Sequence, residues 1–379
     1  MKLITRKIES LEQLSITEWN NLEIKGNPFL TYRFLAGLEK YRCLDHQGWY
    51  PCHICAEENG ELVGVLPLYL KTNSIGEFVF DWNWAEAFER SGGHYYPKLV
   101  SAIPFSPVTG PRFLIKKKYN NPDIIRNALH EAVKLLMEEM EVSGIHILFP
   151  DDADKQILEK QGFLIRSACQ YHWFNHNYHD FEDFLSRLNS KKRKQIKKER
   201  ESIGKSGVKI EILRGNEITS QHWEIYYNFY TSTFYRKWGE PRLALKFFQS
   251  LDETSTDTPL LFLARHNKKY IAGAFAMMGK NTLYGRHWGC NVHIPFLHFE
   301  LCYYQTIDYC IRHNLEKLDA GAQGEHKISR GFVPVNTWSA HWIANNEFRF
   351  AIEHFLYREQ EHIEHYMKEL SEHLAYKII

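Results

Sequence analysis

The chain has 379 residues, 44% of them hydrophobic and 25% charged, which is the balance of a soluble globular protein. Its length exceeds what one core usually serves and points to two domains. Lys and Arg total 47 against 46 Asp and Glu, so no global field steers the protein to nucleic acid and any such contact must be local.

No segment approaches the roughly 18 uncharged apolar residues of a membrane span. The opening stretch MKLITRKIESLEQLS has basic residues but no apolar core of a signal peptide. Seven scattered Cys argue against a disulfide framework. A cytoplasmic location is the expectation, with peripheral membrane association left open. CHIC at 52–55 has no second pair at finger-like spacing, so buried structural thiols are expected there.

In chain order, AEENGELVGVLPLYLK (56–71) reads as strand, Asn-Gly turn and strand. FVFDWNWAEAFERSGGHYYPKLVSAIPFSPVTGPRFL (78–114) follows, kinked by Pro and Gly and rich in aromatics. It reads as a long connection that binds a ligand or acts as a lid. PDIIRNALHEAVKLLMEEME (122–141) has Pro in its first turn and apolar residues at three-to-four spacing, a helix. IHILFP (145–150) is a buried strand. DADKQILEKQGF (152–163) is a helix with a Gly stop, followed by the strand FLIRSACQYHWF.

The character changes near 175–205, where KKRKQIKKER (191–200) lies in a basic helix. Ile196 and Ile203, seven apart, give that helix an apolar seam. It is read either as a phosphate-binding face for tRNA or an anionic membrane, or as a solvated helix packed by one side. Residues 222–237 and 241–251 read as helices, 259–289 as three strands, and 296–315 as a strong helix. The strand EKLDAG leads into AGAQGEHKISRGFVP (320–334). Paired strands are expected at 335–343 and 347–355, then a charged terminal helix.

The run 260–289 repeats the strand–turn–strand design of 56–71, an internal rhyme between two α/β halves. The order helix, helix, three strands, helix, strand and two final strands resembles the GCN5-related N-acetyltransferase (GNAT) domain. Two such domains in tandem resemble the Fem family of peptidyltransferases. The basic helix 189–213, FVFDWNWAEAF, YYPKL, PFSPVTGPRFL, LHFELCYYQ and GEHKISRGF carry the likeness to a Fem-like subgroup tied to peptidoglycan biosynthesis or recognition. It implies an α/β fold of two GNAT-like domains, 1–177 for acceptor binding and 178–379 for catalysis. It also implies transfer from aminoacyl-tRNA or acyl-CoA to an amine, with no tightly bound cofactor. Lys327, before Gly331-Phe332, matches a Fem-type segment. The loop GCNVHIPF departs from the Gly-rich acyl-CoA signature.

The residues themselves nominate a site. Glu300 and His298 sit in the first turn of the 296–315 helix, where the dipole favours anions. Strand alternation puts Arg286 and Trp288 on one face, and Arg286 either grips an anion or pairs with Asp319 or Glu300. Asp319 ends a strand beside the Gly-rich loop, and Asp81 is expected at a similar strand end. Lys327 and Arg330 are candidates for oxyanion or phosphate binding, with Asp319, Glu300 or His298 as base. Gln323, Glu325, His326 and Tyr303 complete the second-domain set, and Trp82 and Tyr96 are read either as first-domain walls or as packing between the domains.

No Gly-x-Ser-x-Gly elbow is present, so direct attack without a covalent enzyme intermediate is expected. The alternative is a non-catalytic recognition module for a cell-wall precursor or peptide. A metal site on Glu325, His326 and His298 is disfavoured, since adjacent side chains point apart and no ligand spacing supports it.

Overall fold

The computed structural model describes residues 3–236, 239–251 and 258–377; Lys237, the last residue of an expected helix, lies outside them. The chain forms two compact units, Met1–Ala168 with Asn336–His365, and Cys169–Val335 with Tyr366–Ile379. In place of the single boundary expected at 177/178, the units are interleaved. Residues 336–365 group with the first unit because Ser339–Ile343 ladders onto strand Gly144–Leu148. Beyond it, Ile352 and Leu356 pack with Trp84, Ala85 and Tyr95.

In the first unit, strands Leu3–Ile8, His53–Glu58, Glu61–Leu66 and Leu114–Ile115 make an antiparallel sheet. A second ladder runs through Trp49–Pro51, Tyr69–Lys71, Lys98–Ser101 and Gly144–Leu148. Helix Pro122–Glu139 sets Ile125, Leu129 and Val133 into the core. A Cβ at Gly64 would lie 2.4 Å from Ile125, so glycine permits that close approach. Cys52 and Cys55 are buried, and desolvation pushes both thiols up to about 12.

Two expectations change here. The 78–114 stretch contains helix Trp82–Arg90 and strand Lys98–Ser101, so it is no long irregular lid. Residues 347–355, expected as a strand, belong to helix Asn346–Glu372. The side chain of Asn345 accepts from the Phe348 amide, and Phe348, Ile352 and Leu356 recur one turn apart. The β-forming aromatics of EFRFAIEHF misled the periodicity reading.

In the second unit, strands Lys209–Arg214, Thr258–His266, Lys269–Met278 and Thr282–Cys290 form an antiparallel meander. Strand Lys317–Asp319 then joins in parallel to Thr282–Tyr284, with His172–Phe174 antiparallel on its other side. Helix Ser220–Tyr235 packs on the meander so tightly that a Cβ at Gly289 would lie 2.0 Å from the Phe229 carbonyl oxygen. The expected helix at 296–315 runs from Leu297 to Arg312 with a π-helical segment, Glu300–Tyr304, inside it.

Candidate functional site

Strand Thr282–Cys290 outruns its parallel partner. Their ladder ends at Tyr284 opposite Asp319, and residues 285–290 continue without a strand on that side among the described residues. At this point the antiparallel ladder also breaks: Phe275 faces His287 while Ala276 faces Gly285. Arg286 is therefore the extra residue of a β-bulge, a device that re-aims a side chain. Its Nη1 and Nη2 each reach an Asp319 oxygen at 3.2 Å. The anion-gripping and ion-pair readings of Arg286 both described a forked guanidinium; the structure uses the fork on Asp319.

Asp319 is buried, and also accepts from the Gly321 amide at 2.9 Å. His172 Nε2 stands 3.7 Å from its second oxygen. Burial alone would raise this carboxyl, but the Arg286 guanidinium, helped by the Gly321 amide, overturns that and holds it well below the usual range. Asp319 is thus a locked anion that fixes the loop turn. His172 is kept neutral, lowered to about 4 chiefly by burial.

Beyond the strand end, Gly321 (φ 79°) and Gly324 (φ 105°) turn the chain into a short 3-10 helix, Glu325–Arg330. This brings Lys327 back over the turn. Its ammonium donates to the carbonyls of Ala320 at 2.7 Å and Gly321 at 3.0 Å, and lies 5.6 Å from the Tyr171 ring centre. Lys327 is 3% exposed and makes no carboxylate contact within ion-pair range among the described residues. Burial lowers it to about 8, with Asp319 opposing the shift. An ammonium carries three N–H groups, and two of them are given to these carbonyls.

An aromatic and imidazole group surrounds the start of the 297–312 helix. His298 packs 5.2 Å from Trp288, 5.4 Å from Tyr303 and 6.1 Å from His326, ring centre to ring centre. It is lowered to about 4, first by burial and then by His326, Lys327 and Arg330, so it is neutral at pH 7. Tyr303 OH and His326 Nε2 are hydrogen-bonded at 2.9 Å. His298 itself has no hydrogen-bond partner among the described residues, leaving both ring nitrogens to a ligand or water.

The other candidates separate by role. Glu300 is buried in the π segment, accepting from Arg200 Nε at 3.2 Å and Gln305 Nε2 at 2.7 Å. Arg330 is buried against Glu199. Glu325 is exposed and accepts from Tyr366 OH at 2.8 Å, and Gln323 is exposed on the turn. Asp81, Trp82 and Tyr96 belong to the first unit. Asp81 stands at the N-terminus of helix Trp82–Arg90, a correction to the expected strand end, and is buried against Lys98. Trp82 is exposed, and Tyr96 is half-buried and shares a 2.8 Å hydrogen bond with Ser74.

His172, Glu199, Arg200 and Tyr304 escaped the sequence reading. For Glu199 a signal existed: Ile196, Glu199 and Ile203 are spaced three and four apart, so one acid shares the apolar seam of a basic helix. Among the described residues no three His, Cys, Asp or Glu are grouped as metal ligands.

These features define the class: a chain of α/β fold, as the sequence led us to expect. The chain belongs to the FemAB-like family, described as peptidoglycan biosynthesis/recognition, whose profile matches residues 10–378. Among solved structures it is similar to FemX, at 13% identity over 92% of this chain and 100% of that one, TM-score 0.55. It is also similar to L-PGS from Bacillus licheniformis, at 8% identity over 90% and 94% of the chains, TM-score 0.53. A tandem GNAT protein from the clavulanic acid biosynthesis pathway matches at 10% identity over 91% and 99%, TM-score 0.44. No curated protein matches the chain in sequence. No helix among the described residues is long and apolar enough to cross a membrane.

Proposed function

We propose that this protein is an acyl- or aminoacyltransferase acting in the cytoplasm. It moves an acyl group from aminoacyl-tRNA or acyl-CoA to an amine, the acceptor being a peptidoglycan precursor or a peptide. Membership of a peptidoglycan biosynthesis/recognition family supports a transferase. The observation that carries the reading is Lys327, a buried ammonium anchored on two carbonyls.

The amine attacks the acyl carbonyl carbon, a C–N bond forms, and the ester or thioester bond to the carrier breaks. Negative charge gathers on the acyl oxygen, where the Lys327 ammonium donates its remaining N–H in a site of low dielectric. Neutral His298 takes the proton that the amine sheds and returns it to the departing hydroxyl or thiol. Asp319 and Arg286 hold the turn on which Lys327 rests. No covalent enzyme intermediate is needed. The basic helix Ser190–Lys205 carries the proposed tRNA contact.

The test incubates the purified protein with charged tRNA or acetyl-CoA and a lysine-containing peptide, with amide product read by mass spectrometry. Product from one donor, reduced about 100-fold or more in Lys327→Met, is expected. Product formation indifferent to Lys327 overturns the assignment. Peptide binding with no transfer from either donor makes the protein a non-catalytic recognition module.

A further inference from the structure

The turn that carries Lys327 is poorly able to hold itself in place. It is one short 3-10 segment with Gly324 at φ 105° before it and Gly331 at φ 88° after it. Such segments have weak internal hydrogen bonds, and glycine at both ends removes the steric limits on swinging. Its position has to be imposed by side chains, and a buried knot does so.

Arg330, 3% exposed, distributes its donors over three elements. Nε donates to Tyr304 OH at 2.9 Å, at the end of the π segment. Nη1 donates to the His326 carbonyl at 2.9 Å and to Ser329 Oγ at 3.1 Å. Nη2 donates to both Glu199 oxygens at 3.0 Å. The guanidinium lies 3.5 Å from the Phe299 ring centre. The His326 carbonyl belongs to the peptide bond that leads into Lys327. Glu199 also accepts from Gln195 Nε2 at 2.9 Å and, in a short contact, from Tyr304 OH.

A buried ion pair is a poor way to gain stability, because desolvation offsets the attraction and apolar residues of similar volume often serve as well. Its forked, directional geometry fixes orientation instead. We propose that Glu199 is a positioning residue: through Arg330 it fixes the 325–330 turn so that the Lys327 ammonium meets the acyl oxygen of the donor. The proposal rests on the acyl-transfer reading above. It also gives the solitary buried acid of the basic helix a task, tying that helix to the turn.

The experiment compares full-length wild type and Glu199→Gln by kcat, by KM for both substrates, and by the NMR titration of ε-13C-labelled Lys327. The expected result is a fall of about 10- to 100-fold in kcat, the scale set by displacement of a reacting group by about 1 Å. KM stays within about twofold, since the change is in orientation rather than ground-state binding. The Lys327 titration shifts as well. An unchanged kcat in folded Glu199→Gln, or a loss confined to KM, overturns the proposal. If Glu199→Gln does not fold, Tyr304→Phe, which removes the hydroxyl bridging Glu199 and Arg330, replaces it. An unchanged kcat there overturns the proposal equally. If wild type transfers nothing from any donor, the acyl-transfer reading fails, and the Lys327 titration alone then decides: a shift supports positioning, and identical titration in the variant refutes it.

Discussion

Two of the buried lysines, Lys98 in the first unit and Lys327 in the second, meet opposite surroundings. In the first unit, Lys98 is fully buried and donates to Glu77 at 2.9 Å, to Ser74 at 2.9 Å and, closer still, to Asp81. Tyr95 OH also donates to Asp81, at 2.7 Å. Burial works against the Lys98 ammonium, but the two carboxylates overcome it and raise its proton affinity. In the second unit, Lys327 has only carbonyl partners, and burial prevails. The same residue type is a permanent structural cation in one place and an ammonium ready to lose its proton in the other. The nearest acid makes the difference: Asp319 is held by Arg286, so Lys327 feels its field without bonding to it.

That contrast breaks most sharply at Lys98. Lys98→Met leaves two buried carboxylates without their cation and is expected to cost about 3–5 kcal/mol, measured by urea unfolding. Lys327→Met is expected to change stability by less than about 1 kcal/mol, since it replaces a desolvated charge with an apolar chain. Its transfer rate falls about 100-fold, and a loss of stability like that of Lys98→Met would erase the distinction.

The pH dependences differ in sign. Glu77, raised to about 7 chiefly by burial, favours the fold in its protonated form. Its contribution is complete below the ordinary carboxylate pKa and is lost as pH rises through 7. The expected loss is on the order of 1–3 kcal/mol, and Glu77→Gln should flatten it in unfolding curves at pH 5 and 8. Lys327 runs the other way: its contribution is present above about 10.5, the ordinary lysine value, and is lost as pH falls through 8. Activity that needs the ammonium declines above pH 8, and Lys327→Arg should move that limb upward. The smallest effect belongs to Glu325→Gln, an exposed residue whose hydrogen bond comes from Tyr366; less than about 0.5 kcal/mol and unchanged turnover are expected.

The elements of the fold were largely legible in the chain. Spacing of Ile125, Leu129 and Val133 marked a helix, and Asn-Gly at 59–60 marked a turn between strands. EFRFAIEHF failed because its aromatics satisfy strand and helix patterns alike over so short a run. Lys327, Asp319, Arg286 and His298 were nominated from their place at strand and helix ends, and the structure brings them into one unit. Their division of labour was invisible. That Asp319 is spent on Arg286, and Glu300 on Arg200, depends on a bulge and on pairs 33 and 100 residues apart.

The sequence by itself determined the alternation of strands and helices, and the glycines that let 320–331 turn back on itself. These are local properties, set by backbone sterics and by which faces are apolar. Only the tertiary structure decided which charges cancel. Electrostatics in a desolvated interior depends on separations of a few ångströms between residues distant in sequence, and no local pattern encodes those. For that reason Lys98 and Lys327 read alike as letters in the chain, and only folding tied one to two carboxylates and left the other on carbonyls alone.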